Sequence, residues 1–163
     1  MNNKKRITVN SIDFEFFFDE RLNMWRILEN KNVLDGFTLD IEIDLKNFKQ
    51  KDFEMAQIQS FLEYLHKNKS IIDRNLEDAK KVLLSFFQKL YANVFDKDVL
   101  ENIDFNFVGI DFKGYSGNYN NMFEYDFQFF PYYIKDTDKD IGTFLWKAMF
   151  RNGLLLGVYS DTQ

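Results

Sequence analysis

Cysteine is absent from the 163 residues, and proline and histidine occur once each. Without cysteine there is no disulfide framework, no thiolate metal cage and no cysteine nucleophile, and one proline rules out a proline-rich linker. The lone histidine, His66, excludes paired-histidine metal motifs, and a Ser-His-Asp triad would have to use that residue alone. Positive charge is in deficit: 21 Lys and Arg against 26 Asp and Glu leave a formal charge of −5. That balance argues against nucleic acid or anionic lipid as a partner, since both need an excess of cations. No apolar run approaches the ~18 residues of a membrane span. The basic Met1–Arg6 is followed by Asn10, Ser11, Asp13 and Glu15, not by the apolar stretch of a signal peptide. The glycines at 36, 109, 114, 117, 142, 153 and 157 never form a phosphate-cradling G-x-G-x-x-G or G-x-x-x-x-G-K-[ST] pattern. These absences imply one acidic soluble domain spanning 1–163, cytoplasmic by expectation, with no cofactor.

Aromatic residues are abundant, with phenylalanine alone at 20 positions, which is bulk enough for a core. In Ile12–Phe18 the even positions are apolar and the odd ones largely acidic, the period of a strand with one buried face. Asn23–Glu29, with Met24, Trp25, Ile27 and Leu28, reads as a second strand. Phe37, Leu39, Ile41, Ile43 and Leu45 alternate with Thr38, Asp40, Glu42, Asp44 and Lys46 in a third, preceded by the turn signal Asp35-Gly36.

From Asp52, a candidate N-cap, the period becomes helical. Phe53, Met55, Ile58, Phe61, Leu62 and Leu65 mark one helix. Ile72, Leu76, Ala79, Leu83, Phe86, Phe87, Leu90 and Val94 mark a second, joined to the first through Lys67–Ser70. Strands then return. Phe105–Lys113 slips phase near Phe107-Val108, as at a β-bulge, and Phe123, Tyr125, Phe127 and Phe129 alternate with polar residues. A last hairpin runs through Thr143–Arg151 and Leu154–Ser160 around Asn152-Gly153. The expected architecture is α+β: an antiparallel sheet of six to seven strands, ordered βββ-αα-ββββ, with two amphipathic helices on one face.

The polar phase of the strands carries seven carboxylates: Asp13, Glu15, Asp40, Glu42, Asp44, Glu124 and Asp126. On a helix-free face they would form an acidic surface suited to a basic protein partner; alternatively a pair of them could serve acid/base hydrolysis. The plain structural alternative is that these strands are not neighbours, or that Lys and Arg from loops neutralise the group. Tyr115 and Tyr119, in the polar loop Gly114–Asn121, have the character of recognition anchors, unless they fold back on the sheet edge. Asp136-Thr137-Asp138-Lys139-Asp140 opens like a calcium loop. Ile141 and Lys147, however, stand where an EF-hand needs Gly and Glu, so a solvated turn is expected and no metal. His66 falls at a helix end, where an imidazolium suits the dipole.

The early strand with Trp25, the alternating Phe37–Leu45 and the helix pair within Asp52–Val94 lead to a C-terminal block. That block runs from Asp138 through Ile141-Gly142-Thr143-Phe144 to Leu156-Gly157-Val158 and Ser160-Asp161-Thr162. This order resembles small bacterial domains of unknown function that recur among candidate immunity proteins of polymorphic toxin systems. Such domains carry a Glu-His pair before the glycine matching Gly142, where this chain has Asp140-Ile141, so a site using that histidine is absent. The resemblance implies a bacterial, cytoplasmic, non-catalytic protein and does not identify its partner, for which a toxin domain is the candidate. Three functional expectations follow: a protein-binding module with a basic partner, a carboxylate-dependent hydrolase, and a structural module self-associating into a homo-oligomer through Phe-rich strand edges.

Overall fold

The structure, a computed structural model, describes residues 4–27, 42–45, 54–115, 122–139, 141 and 144–161, with the side chains of 42–44 and 115 outside that description. Alternation determines which residues turn inward. In β2 (Ile12–Asp19), Phe14, Phe16 and Phe18 are buried while Asp13 and Glu15 are exposed. β1 (Lys4–Val9) buries Ile7 and Val9 by the same rule. β3 (Met24–Ile27) and β4 (Glu42–Leu45) complete the first half; β5 (Ile103–Tyr115), β6 (Phe123–Tyr133), β7 (Leu145–Arg151) and β8 (Leu154–Asp161) form the second. Between them lie α1 (Met55–Lys67), α2 (Lys69–Leu90) and the short α3 (Lys97–Glu101).

The fold is α+β, with eight strands lying in sequence order across the sheet. Two antiparallel runs, β1–β4 and β5–β8, meet at a single parallel pair, β4–β5. The helical crossover explains that exception to the expected antiparallel sheet, because it returns the chain to re-enter in the same direction. β1 extends the expected strand count; only Ile7 and Val9 of its six residues are apolar and buried, which leaves little alternation to read.

Local chemistry sets the turns. The β5–β6 register shifts between Phe107 and Gly109, so the phase slip at Val108 is a bulge. Asn152 and Gly153 take φ of 47° and 82°, the positive values a tight hairpin needs at both central residues. Asn152 also clamps β6: its Oδ1 accepts from Phe123 N at 2.7 Å and its own N donates to Phe123 O at 3.0 Å.

α1 buries Ile58, Phe61, Leu62 and Leu65, and α2 buries Ile72, Leu76, Ala79, Leu83 and Phe87. Phe61 stacks on Phe112 of β5 with ring centroids 4.1 Å apart, and Phe87 meets Phe105 and Trp146 at 5.9 and 5.7 Å. Among the described residues, four of the expected stripes are not core: Met55 and Leu90, at the first position of α1 and the last of α2, are exposed, and two more differ. Phe86 is not core but 44% exposed, because the 100° step between adjacent helical residues carries it onto the flank of α2. Val94 lies beyond the helix in a turn and is exposed. The break between α1 and α2 is Asn68 alone, which ends one helix and begins the next; Asp52 lies outside the described residues. Among the described residues no helix is long and apolar enough to cross a membrane.

The two sheet edges differ in chemistry. β1 presents exposed Lys4, Lys5 and Arg6, whereas Leu154–Ser160 of β8 carries no charge.

Candidate functional site

The helices cover the face formed by Phe14, Phe16, Ile110, Tyr125, Phe127 and Ala148, leaving the polar phase on the other. On β1 and β2 that phase is an exposed ladder. Lys4 reaches Glu15 at 2.5 Å, and Arg6 lies 3.7 Å from both Asp13 and Glu15. The hydrogen bond and charge of Lys4 hold the Glu15 carboxyl below its ordinary range. Across β3–β7, register places Arg26, Asp44, Asp111, Asp126 and Met149 in one row.

Asp126 is fully buried there. Lys113 Nζ sits 2.7 Å from its Oδ2, and the Tyr159 hydroxyl donates to the same oxygen. Burial first, then the bond to Asp126, push the Tyr159 hydroxyl far above the usual tyrosine range, so it remains a donor. Lys147, also buried, pairs with Asp161 at 2.5 Å. Lys113 and Lys147 approach the Tyr159 ring from 5.5 and 5.8 Å. Asp111, the cross-strand neighbour of Asp126, is buried too.

The expectation of a uniformly acidic face is therefore corrected for the carboxylates whose side chains are described. Asp13 and Glu15 share Arg6, Glu124 is paired with Arg151, and Asp126 with Lys113. Cations fall in the same strand phase because like charges facing across a ladder repel and opposite ones attract. Asp126 is in addition no surface residue. Asp40 and Tyr119 lie outside the described residues. Glu42 and Asp44 are placed by backbone register alone, opposite Gly109 and Asp111, and Tyr115 ends β5 opposite Phe123.

Asp111, Lys113, Lys147 and Tyr159 are residues that sequence reasoning passed over. A signal existed, since Lys147 stands between Trp146 and Ala148 inside an apolar strand, where a charge must be paired to be tolerated. A second missed cluster joins α3 to β6: Tyr133 donates to Asp98 Oδ2 at 2.5 Å, and Lys135 pairs with Oδ1. The bonds from Lys135 and Tyr133 hold the Asp98 carboxyl low.

His66 is exposed in the last turn of α1, and Asp136 and Asp138 are exposed in the turn after β6, where Asp138 N donates to Asp136 Oδ1 at 3.2 Å. Among the described residues, no group of three or more His, Cys, Asp or Glu is arranged to hold a metal ion. The class defined is an α+β sheet-and-helix domain with an ion-paired polar face. Compared with family models, with curated proteins and with solved structures, the chain matches none.

Proposed function

We propose that this domain is a non-catalytic protein-binding module that uses the helix-free face of its sheet. The observation that carries the reading is the exposed ladder Lys4, Arg6, Asp13 and Glu15, charged side chains on a face the helices leave uncovered. Glu15 and Asp98 are both held low, the direction opposite to that of a general acid. The overall charge of −5 favours a partner more basic than this chain. The resemblance to immunity-associated bacterial domains adds a toxin domain as that partner and the cytoplasm as the setting. The test is affinity capture in the native host, followed by association kinetics with the purified partner. Reversing Asp13 and Glu15, the carboxylates of that ladder, to Lys should slow association and flatten its salt dependence. Unchanged kinetics in that double variant would sink the sheet-face reading.

A second reading, a carboxylate hydrolase, is favoured by one arrangement: Asp111 and Asp126 are buried side by side on adjacent strands, next to Lys113 and Tyr159. It requires ester or glycoside hydrolysis that Asp126→Asn abolishes while the circular dichroism stays native.

A further inference from the structure

The last strand and the second helix together form a feature that the polar sheet face does not involve. α2 runs alongside β8. Asn75 Nδ2 donates to Gly153 O at 3.0 Å at the start of the strand, and Phe86 meets Trp146, the register partner of Ser160, at 5.9 Å near its end. Ile71, Asn75, Asp78, Val82 and Phe86 recur at the three- and four-residue steps that define one flank of a helix. Phe86 and Phe87 both meet Trp146 of β7, but only Phe87 also reaches Phe105 of β5, so the Phe86 flank lies on the side of the helix away from β5. Its apolar members Ile71, Val82 and Phe86 are all exposed, and Asp78 is the one carboxylate among these five. A groove of about 370 Å³ lies on it, lined by Lys81, Val82, Ser85, Phe86 and Lys89.

The strand beside that flank is equally unguarded. Among the described residues β8 pairs with β7 only. Edge strands are ordinarily blunted by lysine, proline or a covering element, and β1 follows that rule with Lys4, Lys5 and Arg6. β8 carries Leu154, Leu155, Leu156 and Val158 instead, with Leu154 67% exposed. An open strand edge bordered by an apolar helix flank is the geometry of peptide recognition by strand addition. Backbone hydrogen bonds supply affinity there, and alternate side chains fall into pockets.

Charge selects the occupant. From Ala79 to Phe95 the charged residues are Lys80, Lys81 and Lys89, with no Asp or Glu, in a chain that is acidic overall. Lys81 makes one exposed pair with Asp78 at 3.3 Å, a bond weak enough to exchange. We infer that the open edge of β8 and the groove on α2, whose described lining is α2 residues alone, together bind an extended segment of another protein in which apolar residues alternate with Asp or Glu. The added strand pairs with β8, its apolar side chains rest on Val82 and Phe86, and its carboxylates meet Lys81 and Lys89. This site stands on its own residues and does not depend on the sheet-face reading.

The probe is a labelled nonapeptide with valine at alternate positions and glutamate between them, compared with a twin bearing lysine for glutamate. Fluorescence anisotropy should show the glutamate peptide binding at least about tenfold tighter. Saturation should slow hydrogen exchange at the outward amides of β8, and N-methylation of one edge of the peptide should abolish binding. Lys81→Glu/Lys89→Glu should invert the preference between the twins, with native circular dichroism and only a small drop in melting temperature from the lost Asp78 pair and the reversed charge in the last turn of α2. Equal binding of the twins, no binding at about millimolar peptide, or protection of a strand other than β8 overturns the proposal. So does a peptide-free dimer protected at β8, since a second copy of this chain would then own the edge.

Discussion

Adjacent phenylalanines on α2 offer a sharp test of which helix face is buried. Phe87 is 1% exposed and its ring lies 4.5 Å from Tyr91, 5.9 Å from Phe105, 5.7 Å from Trp146 and 6.0 Å from Phe95. Phe87→Ala removes a fully enclosed ring whose neighbours belong to three separate elements and cannot close the space together. Such truncations cost about 3–5 kcal/mol. Phe86 is 44% exposed and has one ring neighbour among the described residues, Trp146. Phe86→Ala forfeits only part of a transfer energy that is about 1.5–3 kcal/mol for full burial, and it opens no enclosed cavity, so about 1 kcal/mol is expected.

The difference, about 3 kcal/mol, corresponds to roughly a hundredfold in the folded-to-unfolded ratio. In melting temperature it is a gap of about 10 °C for a domain of this size. Urea denaturation of the two variants with unchanged m-values is the assay. Equal losses, or a larger loss for Phe86→Ala, would mean that α2 presents a different face to the sheet, and the groove beside β8 would vanish with it.

Removing one side of the buried ion pair should cost more than removing both. Lys113→Met strands the Asp126 carboxylate and is expected to lose about 3 kcal/mol, while Lys113→Met/Asp126→Asn recovers much of it, as a double-mutant cycle in urea would show. The Asp98 carboxyl is held low by Lys135 and Tyr133, so its stabilisation is present above the unfolded value and lost as pH falls through the lower folded one. Asp98→Asn should therefore lower stability at neutral pH by a small, salt-screened amount and flatten the acid side of the curve, the difference from the parent protein vanishing well below about pH 4. Asn152→Ala places an alanine at a φ of 47° and deletes the bond to Phe123 N. A loss of about 1–2 kcal/mol by thermal melting is expected.

Much of the fold is legible in the residues. The phase of Phe14, Phe16 and Phe18, the helical stripe from Ile72 to Phe87, the slip at Val108 and the Asn152-Gly153 turn are local signals, each set by neighbours within a few positions. β1 and α3 escape notice because two apolar residues in one and five residues in the other are too little for periodicity to register. The candidate site is harder to read because it depends on pairing. Asp111 meets Asp126 and Lys147 meets Tyr159 only once strand order and register are fixed. Period-2 alternation correctly assigns Glu124 and Asp126 to one phase. It cannot say that Lys113 and Arg151 arrive in that phase from neighbouring strands, and so it reads a neutralised ladder as an acidic surface.

The single parallel seam has a kinetic consequence. Every antiparallel pair joins strands that follow one another along the chain, whereas β4–β5 pairs Glu42–Asp44 with Gly109–Asp111 across three helices. Closing a loop of that length costs about 4 kcal/mol of chain entropy before the seam returns anything. The two meanders can zip early and independently; the seam must wait for the helices to bring them together. Folding speed should then be governed at this one junction, so that trimming buried Ile110 slows refolding while equivalent trims in the β7–β8 hairpin mainly hasten unfolding.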